Sequence, residues 1–306
     1  MIRNDQWKTV NKHLADNAFA SFSVPVRNLS SILFICGLIF FLTTIIYPQK
    51  IAIVTPEKTS QSEEFVGKFS ASLENKFSVI DLSLAESVLR VKNFETPFNL
   101  TNEEAKNLAV SIGCNFLILI KTDTIRRSSF ERNEYYESFA IFYLISSRTG
   151  RLVFWYLKNF EENTPLEARS KLFSSIDNLR DKITDQIKIS GEKELTEKIP
   201  EINELPEAGS PEAKGFRPPL PYRRIKPKYT NLAALYNLVA TVDILVDIDE
   251  NGRIRRTEIV RWAGFGLGES VIKTVQAMTW RPADRNGKTM PMRVLLRYNF
   301  RNIETE

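Results

Sequence analysis

Histidine is almost absent from this chain. Of its 306 residues only His13 is a histidine, and it lies in the amino-terminal tail. Everything beyond the tail therefore lacks the means for Ser-His-Asp or Cys-His catalysis and for a histidine-based zinc site. Cysteine is nearly as scarce. Cys36 falls inside a long apolar run and Cys114 far down the chain, so the two do not pair, and cysteine usage points to neither redox compartment. A glycine-rich phosphate loop is also missing: Gly264, Gly266 and Gly268 have the wrong spacing, and no Lys-Ser/Thr follows them. No pair of catalytic groups can be named, so neither an enzyme nor a cofactor or metal site is expected.

Charge is missing from one stretch. Residues 28–49 contain no Asp, Glu, Lys or Arg, and Leu29–Tyr47 reads LSSILFICGLIFFLTTIIY. As a helix, residues 28–49 would extend about 33 Å, enough to cross a ~30 Å hydrocarbon core. The run is longer than the apolar part of a signal peptide, no small-residue cleavage site follows, and it has no polar face such as a soluble helix would show. Pro48 ends it and Tyr47 suits the membrane interface. The expectation is a single transmembrane helix at 29–47. Arg3, Lys8, Lys12 and Arg27 precede it, which favours residues 1–28 as a cytoplasmic tail and an exported remainder.

Residues 51–189 read as an α/β domain with helices packed on a sheet. Ile51–Thr55 is a buried strand, and Phe65, Phe69 and Leu73 mark an amphipathic helix. Phe77–Asp81 is a short strand, followed by a helix carrying Leu84, Val88 and Val91. Thr101 with Glu104 is a capping box, and Gly113 closes the helix it opens. Asn115–Lys121, Tyr135–Ile145 and Leu152–Tyr156 are strands, the last two joined by a turn at Gly150. Pro165 opens a final helix with Leu172, Ile176, Leu179, Ile183 and Ile187 on one stripe. Arg126, Arg127 and Arg132 read as a solvated loop, and Cys114 as a core side chain rather than a reactive one. The element order and the run A-x-x-I-G-C-N-F-L-I-L (Ala109–Leu119) resemble the amino-terminal domain of TolB and CsgG-like envelope domains.

Residues 190–221 lose apolar periodicity. Glutamates dominate, and Pro200, Pro206 and Pro211 interrupt any helix; RPPLPYRRIKPK (217–228) follows. This reads as an extended tether, of which about 27 residues fully drawn out at ~3.1 Å each would reach about 85 Å. Residues 222–306 then form a small antiparallel sheet with one covering helix. Val242, Ile244, Val246 and Ile248 alternate with Asp243 and Asp247, Asn251-Gly252 makes a hairpin turn, and Arg253–Trp262 returns. Leu267, Val271, Val275 and Met278 stripe a helix, Asn286-Gly287 turns, and Thr289–Phe300 is the last strand. The fold class is thus α+β: one transmembrane helix, an α/β domain, a linker, and the small sheet module.

Pro227-x-Tyr229, V-x-I-x-V-D-I-D-E-N-G-R-I (Val242–Ile254), L-x-x-S-V-I-x-x-V (Leu267–Val275), M-T-W-R-P-A (Met278–Ala283) and Asn286-Gly-Lys288 resemble, in order and spacing, the TonB carboxy-terminal family. Two positions depart from it: Thr230 stands where the family has proline, and Val239 or Ala240 where it has glycine. The resemblance implies an inner-membrane protein, single-pass and periplasmic in bulk, that pairs a sheet edge with a peptide segment of an outer-membrane receptor. Carried over, the pairing strand comprises Met292, Arg293, Val294, Leu295, Leu296, Arg297, Tyr298 and Asn299; the rival reading makes its arginines edge guards against aggregation. Energy-coupled members also use a proton-channel complex and carry an intramembrane histidine, and residues 29–47 have none. The alternative is therefore a non-energised envelope tether whose middle domain holds the main partner. A homodimer stays open. Residues 216–301 hold sixteen Lys and Arg against seven Asp and Glu, but an exported location argues against nucleic acid.

Overall fold

The strands of this protein sort by how many faces they bury. The computed structural model describes residues 49–196, 202, 204–206 and 210–302. The expected transmembrane run and the amino-terminal tail lie outside the described residues; within them no helix is long and apolar enough to cross a membrane.

The first lobe is a five-stranded sheet in the order β2-β1-β3-β4-β5. β1 (Lys50–Val54), β2 (Ser78–Val79) and β3 (Phe116–Arg127) run parallel; β4 (Tyr135–Ser146) and β5 (Leu152–Glu162) continue as antiparallel hairpins. Each parallel step is a crossover through helix: α1 (Ser60–Leu73) between β1 and β2, and α2 (Leu82–Lys92) with α3 (Asn102–Ile112) between β2 and β3. The continuous apolar runs in β1, β3 and β4 follow from burial on both faces. Ile51, Ile53, Ile118, Ile120 and Phe142 pack against α1 and against α4 (Pro165–Ser174) and α5 (Ile176–Thr196). Ala52, Val54, Leu117, Leu119, Ile141 and Tyr143 face the other way. The capping box at Thr101–Glu104 is formed, and Gly113 ends α3 in the left-handed region at φ +84°.

The second lobe holds α6 (Asn231–Leu235), the hairpin β8 (Ala240–Ile248) and β9 (Ile254–Arg261), α7 (Leu267–Gln276), and a last strand β13 (Met292–Phe300). Its sheet has the order β13-β8-β9. Val242, Ile244, Val246 and Ile248 are fully buried beneath Leu267, Val271 and Val275 of α7, as the alternation requires. Thr230 caps α6 through its side chain (Ala233 N–H donates, 3.1 Å) and donates to the Phe265 carbonyl at 2.7 Å. A proline there could do neither. Ala240 is buried at the head of β8 and Val239 is exposed.

The structure differs from the sequence expectation in four places. The stretch at 190–221 is not a free tether throughout. α5 runs on to Thr196, and β6 (Phe216–Arg217) and β7 (Leu220–Pro221) pair with β11 (Ala283–Arg285) and β10 (Trp280–Arg281). Prolines pair at such short edges because only one side needs N–H groups. The helix from Pro165 breaks at Ser175 into α4 and α5. The last strand divides at Pro291 into β12 (Lys288–Met290), hairpinned to β11, and β13. Arg126 and Arg127 lie within β3 rather than in a loop, because β3 and β4 pair as far as Arg127–Tyr135.

Candidate partner-binding edge

β13 pairs with β8 along its whole length, from Met292 opposite Ile248 to Phe300 opposite Ala240. Among the described residues no strand pairs with its other side. Hydrogen bonds at the ends of β8 fix which groups that side offers. Asp249 N–H donates to the Arg253 carbonyl at 2.9 Å, so odd-numbered residues of β8 use their backbone toward β9. Thr241 agrees: on that same side it donates to Asn99 Oδ1 at 2.8 Å and accepts from Asn99 Nδ2 at 2.8 Å. The even-numbered Val242, Ile244 and Val246 therefore bond to Tyr298, Leu296 and Val294 on β13. Arg293, Leu295, Arg297 and Asn299 turn their N–H and C=O groups outward, a row open to an added strand.

The side chains alternate as the sequence reading has them. Met292, Val294 and Phe300 are buried against the α7 side, with Leu296 and Tyr298 half-buried. Arg293, Leu295, Arg297 and Asn299 share the opposite face. Arg293 lies bidentate on Asp247 at 2.7 and 2.8 Å, and Arg297 on Asp243 at 2.7 and 2.9 Å. Both aspartates are almost fully buried, and Asp243 also accepts from Arg261 Nε at 3.3 Å. The arginines thus lie back over the sheet to neutralise buried carboxylates. Leu295 between them is 54% exposed.

The other edge of this sheet is closed at its carboxy-terminal end by the first lobe. Asn102 Nδ2 donates to the Ile259 carbonyl (3.1 Å), Arg261 bridges to Thr101, and Trp262 N–H donates to the Leu100 carbonyl (3.3 Å). Around this seam the lobes share one apolar core. Trp262, Phe265 and Tyr236 pack on Tyr143, Trp155 and Phe139, with ring centroids 4.9–5.7 Å apart. Gly264 touches the Trp155 ring so closely that a Cβ there would stand 2.3 Å from the indole nitrogen.

Beside that core sits a carboxylate with almost no exposure. Glu137 accepts from Arg127 Nε (2.7 Å), Asn159 Nδ2 (2.7 Å) and the Tyr236 hydroxyl (2.5 Å), and Arg127 Nη1 donates to the Leu235 carbonyl at 2.9 Å. Burial, and the Glu137 charge beside it, push the Tyr236 phenol above its ordinary range. None of these seam residues was singled out from the sequence as belonging to a site. The available signal was Glu137, a lone acid in the aromatic run of β4, which a buried position obliges to find partners.

Cys114 is packed beneath the first sheet, and burial pushes its thiol up to about 12, so it is a core side chain. Among the described residues no three His, Cys, Asp or Glu side chains gather as metal ligands.

Residues 225–301 match the family described as Gram-negative bacterial TonB protein C-terminal. No curated protein sequence matches the chain. Among solved structures, the Pseudomonas aeruginosa TonB carboxy-terminal domain is similar at 16% identity, covering 35% of this chain and 100% of that one, with a TM-score of 0.27. The lipoprotein GNA1162 from Neisseria meningitidis is similar at 15% identity, covering 43% of this chain and 97% of that one, with a TM-score of 0.32. The hypothetical protein CT253 from Chlamydia trachomatis is similar at 13% identity, covering 44% and 96%, with a TM-score of 0.31. The matched residues span α6 to β13, and the motifs that carried the resemblance lie on the turns and strands described above. The carboxy-terminal module of this chain, residues 225–301, belongs to the TonB carboxy-terminal family.

Proposed function

We propose that this chain is an envelope protein, anchored in the inner membrane by residues 29–47, that captures a peptide segment of an outer-membrane receptor on the edge of β13. The observation that supports this reading is the outward row of backbone groups at Arg293, Leu295, Arg297 and Asn299. An extended peptide satisfies such a row by adding a strand, and main-chain bonds supply the affinity. Leu295 offers it an exposed apolar side chain.

Placing a photocrosslinker at Leu295 and, separately, at Tyr135 of the first lobe tests the reading in cells. Adducts with outer-membrane receptors are expected from Leu295; adducts from Tyr135 alone overturn it. Leu295→Pro removes one outward N–H and no ladder bond, so the fold should tolerate it while receptor capture is lost. For the orientation, an alkaline phosphatase fused after Glu306 is expected to be active, and a silent fusion overturns the exported location.

A second reading has its own support. The module is packed on the first lobe rather than held on a long free tether. This, with an expected anchor that has no histidine and no charged residue, suits a non-energised scaffold whose first lobe also engages a partner. Transduction of proton-motive force and a proton-channel partner belong to the first reading only. Loss of transport on collapsing the proton gradient, with receptor adducts retained, favours the energised form.

A further inference from the structure

Two hollows lie end to end along β9. The first, of about 690 Å³, runs from the Asn251–Gly252 turn past Arg253, Arg255 and Arg256 to Trp280. The second, of about 520 Å³, lies between Arg256–Ile259 and the start of β5 at Arg151–Trp155. Arg256 and Thr257 line both, so the two form one trough over the outer edge of β9. This is the sheet edge opposite β13.

We propose that this trough is a second binding site, and that its ligand is an extended acidic segment of a partner protein. The floor is a strand edge. Apart from the bridge of Arg261 to Thr101 at its end, β9 pairs only with β8 among the described residues, and bulges at Arg255 and Val260 bracket a regular stretch, Arg256–Ile259. Ile259 turns its carbonyl outward to Asn102, and Val246, opposite Thr257, faces β13. Thr257 therefore presents both its N–H and its C=O to the trough. At the second hollow β5 supplies a further edge, since it pairs only with β4 among the described residues.

Charge and polarity assign the side chains of the occupant. The first hollow is lined by three arginines and no carboxylate. Arg255 is held from behind by Asp249 at 2.9 Å and stays 66% exposed; Arg253 is exposed at the mouth. The second hollow is walled by Leu152, Phe154, Trp155 and Ile272; its two arginines are already matched, Arg256 to Glu258 at 2.7 Å and Arg151 to Glu258 at 2.6 Å, and Glu269 adds a negative charge to its lining. The occupant thus carries acidic residues at the first hollow and apolar ones at the second. An alternating donor and acceptor edge selects a polypeptide backbone. A DNA backbone presents only acceptors, and a bilayer surface does not enter a trough between two lobes.

The test uses the full 306-residue chain in non-ionic detergent. The probe is a fluorescein-labelled decapeptide, its acidic half alternating Glu and Thr and its apolar half alternating Val and Thr, followed by fluorescence anisotropy. A matched peptide with alternate backbone nitrogens methylated keeps the charge and cannot pair. Binding of the first and not of the second is expected. Arg253→Glu, an exposed change, is expected to weaken binding about tenfold. Thr257→Pro is expected to abolish it, and Leu295→Pro on the far edge to leave it unchanged. Equal binding of the methylated peptide, reducing the site to a general anion surface, overturns the proposal. So does competition by dT-oligonucleotide or anionic vesicles with no effect of Thr257→Pro, or loss of binding only in Leu295→Pro.

Discussion

Gly264 shows how a single residue holds the lobes together. Its φ of +70° lies where side chains are strained, and the Trp155 indole occupies the space a Cβ would need. Gly264→Ala therefore has to push the tryptophan away and strain the backbone at once. It is expected to cost about 2–4 kcal/mol, read as a drop in the unfolding midpoint and increased tryptophan exposure in fluorescence. Asn99 works through hydrogen bonds instead. Its amide takes the Thr241 N–H and gives to the Thr241 and Trp262 carbonyls, filling the place beyond the end of β9 where the ladder would otherwise stop. Neither role shows in sequence. Gly264-Phe-Gly266 reads as a loop and Asn99 as an ordinary polar residue, because the groups they meet are more than a hundred positions away.

At the scale of elements, the β8–β9 hairpin turns on one aspartate. Burial acts to raise the Asp249 carboxyl, but the N–H groups of Arg253 and Asn251 and the Arg255 guanidinium outweigh it and hold the pKa below its ordinary 3.8. A carboxyl depressed in the folded state contributes stability that is present above its unfolded pKa and is lost as pH falls through the folded value. The unfolding midpoint of the wild type is thus expected to fall below about pH 4, and its advantage over Asp249→Asn to narrow there. A constant gap between the two from neutral pH to pH 2 would show that the turn does not depend on this charge. The hairpin itself was legible: D-E-N-G between two alternating strands carries its own geometry, and Gly252 takes φ +79° as such a turn needs. The division at Pro291 and the break at Ser175 were harder to read, since each interrupts a hydrophobic pattern that continues in phase across it.

For the molecule as a whole, the shared core has a thermodynamic consequence. The described residues form one compact unit, and the buried side chains of the module join those under the first sheet in one cluster. The described lobes are expected to unfold together, giving one calorimetric transition. Two separated transitions would show that the seam contributes little. A fragment of residues 222–306 would bare Trp262, Ala263 and Phe265, which are nearly fully buried in the whole chain. It is expected to aggregate or to melt well below the parent.

The sequence alone determined what local chemistry controls. Alternation set which face of each strand goes inward, capping residues set where helices begin, Asn-Gly and Asp-x-x-Gly set the turns, and the ordered motifs of residues 225–301 placed the module in its family. The β13 edge at Met292–Asn299 could be named from the resemblance. The tertiary structure decided what covers each face and edge. An apolar face is equally well buried by a helix, a second lobe or another chain, and nothing in its own residues distinguishes them. Packing of the first lobe closed one end of β9, pairing of β13 with β8 laid Arg293 and Arg297 over buried aspartates, and the outer side of β13 was left without a strand among the described residues, because contacts between distant positions leave no periodic trace.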